Sequence, residues 1–259
     1  MTYFEIAFSA LGVILGLMTL LWLYSLKIKD SGIVDIFWGT GFVITAWFYL
    51  SVAEGFAPRN LLLASLVTLW GLRLSLHIFR RNHGKPEDFR YRAWREEHGA
   101  RWWWWSWVQV FALQGIILWI VSMPLLAGMM DGPAQWTFFD GLGLLLWLIG
   151  IIFEAGGDYQ LARFKADPAN KGKLLTTGLW AYTRHPNYFG DSVVWWGHFC
   201  FALPGGAWTI FAPLLMTFLL MRVSGVAMLE KSMKIRPGYE SYMRNTPAFF
   251  PKLVVSKKR

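Results

Sequence analysis

Cysteine, charge and the common nucleotide and metal fingerprints are all scarce in this chain. Cys200 is the only cysteine among 259 residues, so there is no internal disulfide and no demand for an oxidising compartment. Charged residues make up 16%, where a soluble domain carries about a quarter. That depletion excludes an ordinary water-soluble globule and a disordered chain. No G-x-G-x-x-G turn and no Walker sequence occurs, no Cys/His set has zinc spacing, and no serine has a plausible histidine base nearby. Neither a repeat nor a low-complexity linker interrupts the sequence, so a single membrane domain over 1–259 is expected.

What the chain does have is apolar length. It is 55% hydrophobic and 18% aromatic, with a mean hydropathy of +0.37. Seven apolar runs can be marked: Tyr3–Leu26, Ile33–Ala53, Leu61–Phe79, Trp105–Met129, Phe139–Gly157, Tyr188–Leu203 and Trp208–Val223. A bilayer crossing needs about 20 such residues, so the pattern predicts an all-α integral membrane protein with seven transmembrane helices. The first run is long and reads as an anchored helix, not a cleaved signal peptide. Pro204-Gly205-Gly206 is expected to break the sixth run from the seventh.

The basic residues predict the orientation. Of 25 Lys and Arg, 23 fall after the first, third and fifth runs and in the tail, which ends Lys257-Lys258-Arg259. Arg59 stands alone on the opposite side, and Arg73 lies inside the third run. By the positive-inside rule the N-terminus is outside and the C-terminus cytosolic. Trp102 to Trp105 suit an aromatic anchor at that interface. The net charge of +9 is spread between apolar runs and not gathered on a soluble module. It therefore argues against nucleic acid and for anionic headgroups or an anionic ligand at the membrane surface.

Polar residues inside apolar helices are costly and call for a partner or a task. Asp35 in the second run either pairs with Arg73 or faces a substrate cavity. Arg73 itself lies one turn from His77. Glu154, Asp158 and Lys165 are spaced by four and seven and share one helical face. The segment Arg184-His185-Pro186-Asn187-Tyr188-Phe189-Gly190-Asp191 places proline in a first helical turn. The free N–H groups there, with Arg184 beside them, would form an anion site. Asn187 and Asp191 follow one turn apart, and an asparagine suits an amide or a base edge. Each residue alone reads as structural, whereas the set on one edge reads as a ligand site. In Glu87-Asp88-Phe89-Arg90-Tyr91-Arg92, arginine and tyrosine would hold a phosphate and stack on a base, or else form an interfacial helix. The tail, from Glu230-Lys231 through Tyr239, Tyr242 and Arg244 to Phe249-Phe250-Pro251, reads as an amphipathic helix folding back over the cytosolic face.

The Arg184–Asp191 segment resembles the steroid 5α-reductase family, in particular its bacterial branch. The likeness extends over most of the chain and is most specific from Phe153 to Pro251. Phe153-Glu154, Gly157-Asp158-Tyr159, Thr177-Gly178-Leu179-Trp180-Ala181-Tyr182, the Asn187 segment and Tyr242 fall in the family's order, and Glu87-Asp88-Phe89-Arg90-Tyr91 resembles the bacterial members. The resemblance implies seven transmembrane helices and NADPH as cofactor. It also implies reduction of an enone carbon–carbon double bond, such as the Δ4 bond of a 3-oxosteroid drawn from the bilayer. Asn187 would meet the nicotinamide amide, while Asp158, Asp191 and Glu154 match polar positions of the cofactor pocket. Lys165 stands where an arginine that meets the cofactor phosphates is usual, Asn82 and Lys85 match a phosphate-side loop, and Arg222 matches an arginine after the last helix. Arg90, Tyr91, Arg184, His185 and Tyr188 complete the expected cofactor set. Asp35 falls near a family glutamate that helps polarise the substrate carbonyl, so Asp35, Asn187 and Asp191 are the expected catalytic residues. Trp70 occupies the place of the family's carbonyl-donating tyrosine, so the resemblance does not supply the proton donor. The expected setting is a bacterial inner membrane or endoplasmic reticulum, with the active site facing the cytosol and neither metal nor nucleic acid involved. The Arg-His-Pro pattern also occurs in membrane methyltransferases that use S-adenosylmethionine. Those carry a Glu-Glu pair where this chain has Glu230-Lys231. A sterol-binding or scaffold protein without catalysis is the third reading.

Overall fold

The computed structural model describes residues 2–223 and 225–252. Lys257, Lys258 and Arg259, part of the basic tail, lie outside the described residues. The described chain is helical throughout, with no strand among the described residues. Six stretches are long and apolar enough to cross a bilayer: Tyr3–Ile28, Ile33–Val52, Ala57–Asn82, Phe89–Met130, Phe138–Ala166 and Pro186–Lys231. The sixth and seventh apolar runs thus join into one stretch. The helix runs through Pro204 to Gly206, and only then does a 3₁₀ turn, Ala207–Ile210, interrupt it.

The chain divides into two compact units, Met1–Trp136 with Phe201–Thr209, and Thr137–Cys200 with Ile210–Arg259. In the first unit lie α1 (Tyr3–Ile28), α2 (Ile33–Val52), α3 (Ala57–Asn82), α4 (Phe89–His98), α5 (Trp102–Ser106), α6 (Leu113–Val121) and α7 (Met123–Met130). A capping box starts α1: the Thr2 hydroxyl accepts from the Glu5 amide, and the Glu5 carboxylate accepts from the Thr2 amide at 2.7 Å. Between α2 and α3 the backbones nearly touch, since a Cβ on Gly39 would lie 2.2 Å from the Gly71 carbonyl oxygen. Small residues permit this approach, which dispersion then rewards in a bilayer, where no hydrophobic drive separates helix from lipid. Phe42 and Trp70 pack edge to face beside this contact, centroids 5.6 Å apart.

Arg59, at the start of α3, is buried. Its guanidinium donates to the carbonyls of Gly128 and Phe201, and the neighbouring Asn60 amide donates to Met129 O at 3.1 Å. The Gly128 and Met129 carbonyls lie in the last turn of α7, where the helix itself offers no partner.

The second unit holds α8 (Phe138–Ala166), the Pro186–Cys200 part of α9 (Pro186–Gly206), α10 (Phe211–Phe218), α11 (Val226–Met233) and α12 (Tyr239–Asn245). Thr137 and Asp140 form the capping box of α8. Here again glycines set the helix spacing: a Cβ on Gly190 of α9 would lie 2.4 Å from both the Glu154 amide nitrogen and the Gly150 carbonyl of α8. Ser192 and Thr217 join α9 to α10 by a 2.7 Å hydroxyl contact. As the sequence predicts, the tail folds back. The Arg184 amide donates to Pro247 O, the Lys252 amide to Tyr182 O, and the Tyr242 hydroxyl to Trp180 O.

Candidate functional site

In the second unit the candidate residues gather where α8 faces the first turns of α9. Glu154 and Asp158 are one turn apart on α8, as their spacing predicts, and both are buried. Gly157 lies beneath Pro186 and Asn187 of α9. That small residue lets Asp158 and Asn187 meet: Asn187 Nδ2 donates to Asp158 Oδ1 at 3.1 Å. Asp191, one turn further along α9, is buried as well. Lys165 is exposed near the end of α8, two turns beyond Asp158 on the same stripe. Arg222 is exposed in a π-helical stretch, Leu219–Val223.

Arg184 and His185 are engaged elsewhere. The Arg184 guanidinium donates to Glu230 Oε1, at 2.8 Å from Nε, and to Met243 O at 3.2 Å and Thr246 O. His185 Nε2 stands 3.4 Å from the same Glu230 oxygen, and its ring stacks on Tyr188 at 5.7 Å. A buried guanidinium with this many acceptors acts as a clamp, tying the start of α9 to the tail.

The first unit holds a second cluster, around Asp35 on α2. The expected alternative of an Asp35–Arg73 pair is not what forms. Asp35 Oδ2 accepts from Arg90 Nη2 at 2.8 Å, and Oδ1 accepts from the Tyr91 hydroxyl at 2.6 Å. Both donors come from α4, which folds onto the start of α2. Glu87 secures that fold by accepting from the Ser31 amide at 2.7 Å while ion-paired to Arg95. The remaining lone pair of Tyr91 accepts from Gln114 Nε2 at 3.3 Å. The Tyr91 side chain is buried, so α4 does not expose that ring for stacking. A buried phenol needs a polar partner, and the Asp35 carboxylate supplies it. Gln114 is a site residue that sequence reasoning missed; its clue was an amide inside an apolar run.

Asp88 caps α4 by accepting from the Arg90 amide at 3.0 Å and from Arg90 Nε at 2.8 Å. Burial pushes the Asp88 carboxyl up, but these bonds outweigh it and hold the group below its ordinary value. Beside it opens a cavity of about 290 Å³, lined among others by Asp30, Asn82, Lys85, Glu87 and Asp88. Asn82 and Lys85 both line this cavity, and three carboxylates share it with them.

The family described as "Protein of unknown function (DUF1295)" matches residues 21–246. An uncharacterized protein of Schizosaccharomyces pombe is 27% identical over 277 aligned residues, covering 94% of this chain and 78% of that protein. A probable O-methyltransferase of Ustilaginoidea virens is 39% identical over 46 residues, covering 18% of this chain and 16% of that one. No solved structure matches the chain.

Proposed function

The chain belongs to the DUF1295 family, and on that premise we propose that it is a membrane-embedded, NADPH-dependent reductase. In this reading it saturates the carbon–carbon double bond of an enone lipid, of which a Δ4 3-oxosteroid is the model substrate. In this reading the chain resembles the steroid 5α-reductases. The observation that carries the reading is the Asp158–Asn187 contact. Asp158 holds one N–H of the Asn187 amide, which keeps the other N–H and the carbonyl oxygen for a primary carboxamide such as that of nicotinamide. NADPH bound there would supply a hydride to the β-carbon of the enone. Lys165, two turns further along α8 on the same stripe, suits its phosphates.

Asp35 and Tyr91 take the carbonyl end in this reading. With Trp70 where the family has its tyrosine, Tyr91 supplies the phenol from α4 instead. Its hydroxyl proton, held by Asp35 at rest, turns to the substrate oxygen as negative charge develops there. Gln114 and Arg90 keep the phenol and the carboxylate in place, and the α-carbon takes its proton from water.

We read the stretch Pro186–Lys231 as two crossings, because the 3₁₀ turn Ala207–Ile210 separates its two apolar runs. Seven spans follow, with the N-terminus outside and the C-terminus and site facing the cytosol. The burial of Arg59 supports this orientation, since the one basic residue on the outer side points inward to carbonyls.

A second reading, an S-adenosylmethionine-dependent methyltransferase, draws on the 46-residue likeness to the probable O-methyltransferase and on Glu230 beside Arg184 and His185. Thermal unfolding of the detergent-purified chain separates the two. NADPH at a hundredfold excess over its dissociation constant should stabilise by about 2.7 kcal/mol through mass action. Stabilisation by S-adenosylmethionine alone overturns the reductase reading, and a response to neither favours a non-catalytic protein. Consumption of NADPH with progesterone tests the substrate class separately.

A further inference from the structure

We propose that the cytosolic end of α8 carries a binding site for a zwitterionic phospholipid headgroup, phosphate plus ammonium, on the face opposite Glu154 and Asp158. This inference does not depend on the reductase reading. A cavity of about 460 Å³ opens there, lined by Tyr159, Gln160, Arg163, Phe164, Asp167 and Asn170, among others. At 100° per residue, Tyr159, Arg163 and Asp167 lie roughly half a turn around the helix from Asp158 and Lys165. The cavity is therefore separate from the cofactor stripe.

Three features define its occupant. The first is charge. Arg163 and Asp167 are exposed and four residues apart, with Cβ atoms about 5–6 Å apart by helix geometry. No ion pair joins them among the described residues, and one Asp167 oxygen is taken by the Ala169 amide at 2.9 Å. A cation and a carboxylate side by side and unjoined match a ligand carrying both charges. A purely anionic headgroup would meet the Asp167 carboxylate. The second feature is aromatic: Tyr159 and Phe164 line the same cavity, and ring faces attract an ammonium group.

The third feature is apolar. Leu145, Leu148, Ile149, Ile152 and Tyr159 are exposed along α8, on the face that leads to Arg163. Ile152 lies about 16 Å along the axis from Arg163 at 1.5 Å per residue. That distance is about half the thickness of the hydrocarbon core, the depth of one leaflet. The stripe gives an acyl chain a path that ends at the charged cavity.

The test is thermal unfolding of the full chain in an uncharged detergent, titrated separately with short-chain phosphatidylethanolamine, short-chain phosphatidylglycerol and inorganic phosphate. The expected result is saturable stabilisation by the ethanolamine lipid at concentrations at least tenfold below those needed for the other two. Arg163→Gln should weaken that response about tenfold. Asp167→Asn, which keeps a capping side chain, should erase the preference over phosphatidylglycerol. Lys171→Gln, outside the cavity, should change neither. Equal responses to both lipids, a response to phosphate as strong as to lipid, or an unchanged Arg163→Gln variant would each overturn the proposal.

Discussion

Two carboxylates set in helices, the half-buried Asp35 and the buried Asp158, are held in different ways. Asp35 is met by a guanidinium and a phenol, both brought by a short helix that loops back onto α2. Asp158 is met by the neutral amide of Asn187, on a helix that glycine contacts press against α8. The first arrangement depends on a side-chain network and the second on backbone proximity. Removing a side chain should therefore break the first, and adding a methyl group should break the second.

Gly190→Ala is expected to have the largest effect. Its Cβ would lie 2.4 Å from two backbone atoms of α8, and backbone cannot swing aside, so α8 and α9 must part. Overpacking of this kind costs about 3 kcal/mol or more. The melting midpoint should fall and NADPH stabilisation should vanish with it. Gly12→Ala on α1, where the added Cβ meets nothing within 4 Å, should be neutral or stabilising by under about 1 kcal/mol. If the two variants melt alike, helix proximity is not what positions Asn187.

On the Asp35 side the sharper probe is Tyr91→Phe. Losing one oxyanion donor typically lowers turnover by about a hundredfold or more. NADPH should stabilise this variant as it does the parent, because Asn187 is untouched. Asn187→Ala should do the reverse, losing the NADPH response while the chain still folds. Turnover of Tyr91→Phe at the parent rate would remove the phenol from the chemistry. Arg90→Leu follows in size. It leaves Asp35 without its cation, at a cost of about 2–3 kcal/mol, reduced from the fully buried case by partial exposure of the pair. Adding Asp35→Asn to Arg90→Leu should recover part of that loss.

These contrasts also explain what could be read from the sequence. The spanning stretches were legible because apolar length alone identifies them. Glu154 and Asp158 were legible because residues four apart share a helix face. Asp35's partners were not, since Arg90 and Tyr91 arrive from another element 55 and 56 residues away and periodicity within one helix carries no information about them. Arg59 stood out in the sequence only as the lone basic residue on its side, because nothing in its neighbours reveals that the end of α7 presents bare carbonyls to it. Arg184 had the residue type of an anion site, but Glu230 and the tail carbonyls had the stronger claim on it. In each case the local pattern identified a costly group and the tertiary fold chose its partner.

The smallest expected effect sets Asp88 against Asp131, an exposed carboxyl that follows α7 in the same unit. Burial raises Asp131 above its ordinary 3.8, whereas the bonds from Arg90 hold Asp88 below 3.8 despite burial. The signs are therefore opposite. The ionised Asp88 stabilises the fold: its contribution is complete above pH 3.8 and disappears as pH falls through its lowered folded value. Asp131 favours the protonated form, so its contribution is present below 3.8 and is lost as pH rises through its raised folded value. Asp88→Ala should cost about 1 kcal/mol at pH 6, the usual worth of a helix cap, and close to nothing once pH drops below the folded value. Asp131→Asn should do the opposite, gaining slightly on the parent at pH 6 and losing that gain in acid. Melting midpoints of the three proteins from pH 6 down to pH 2.5 provide the check. Parallel curves would mean that Arg90 does not stabilise the charged form of Asp88, and the ion-pair network around Asp35 would lose its anchor at the start of α4.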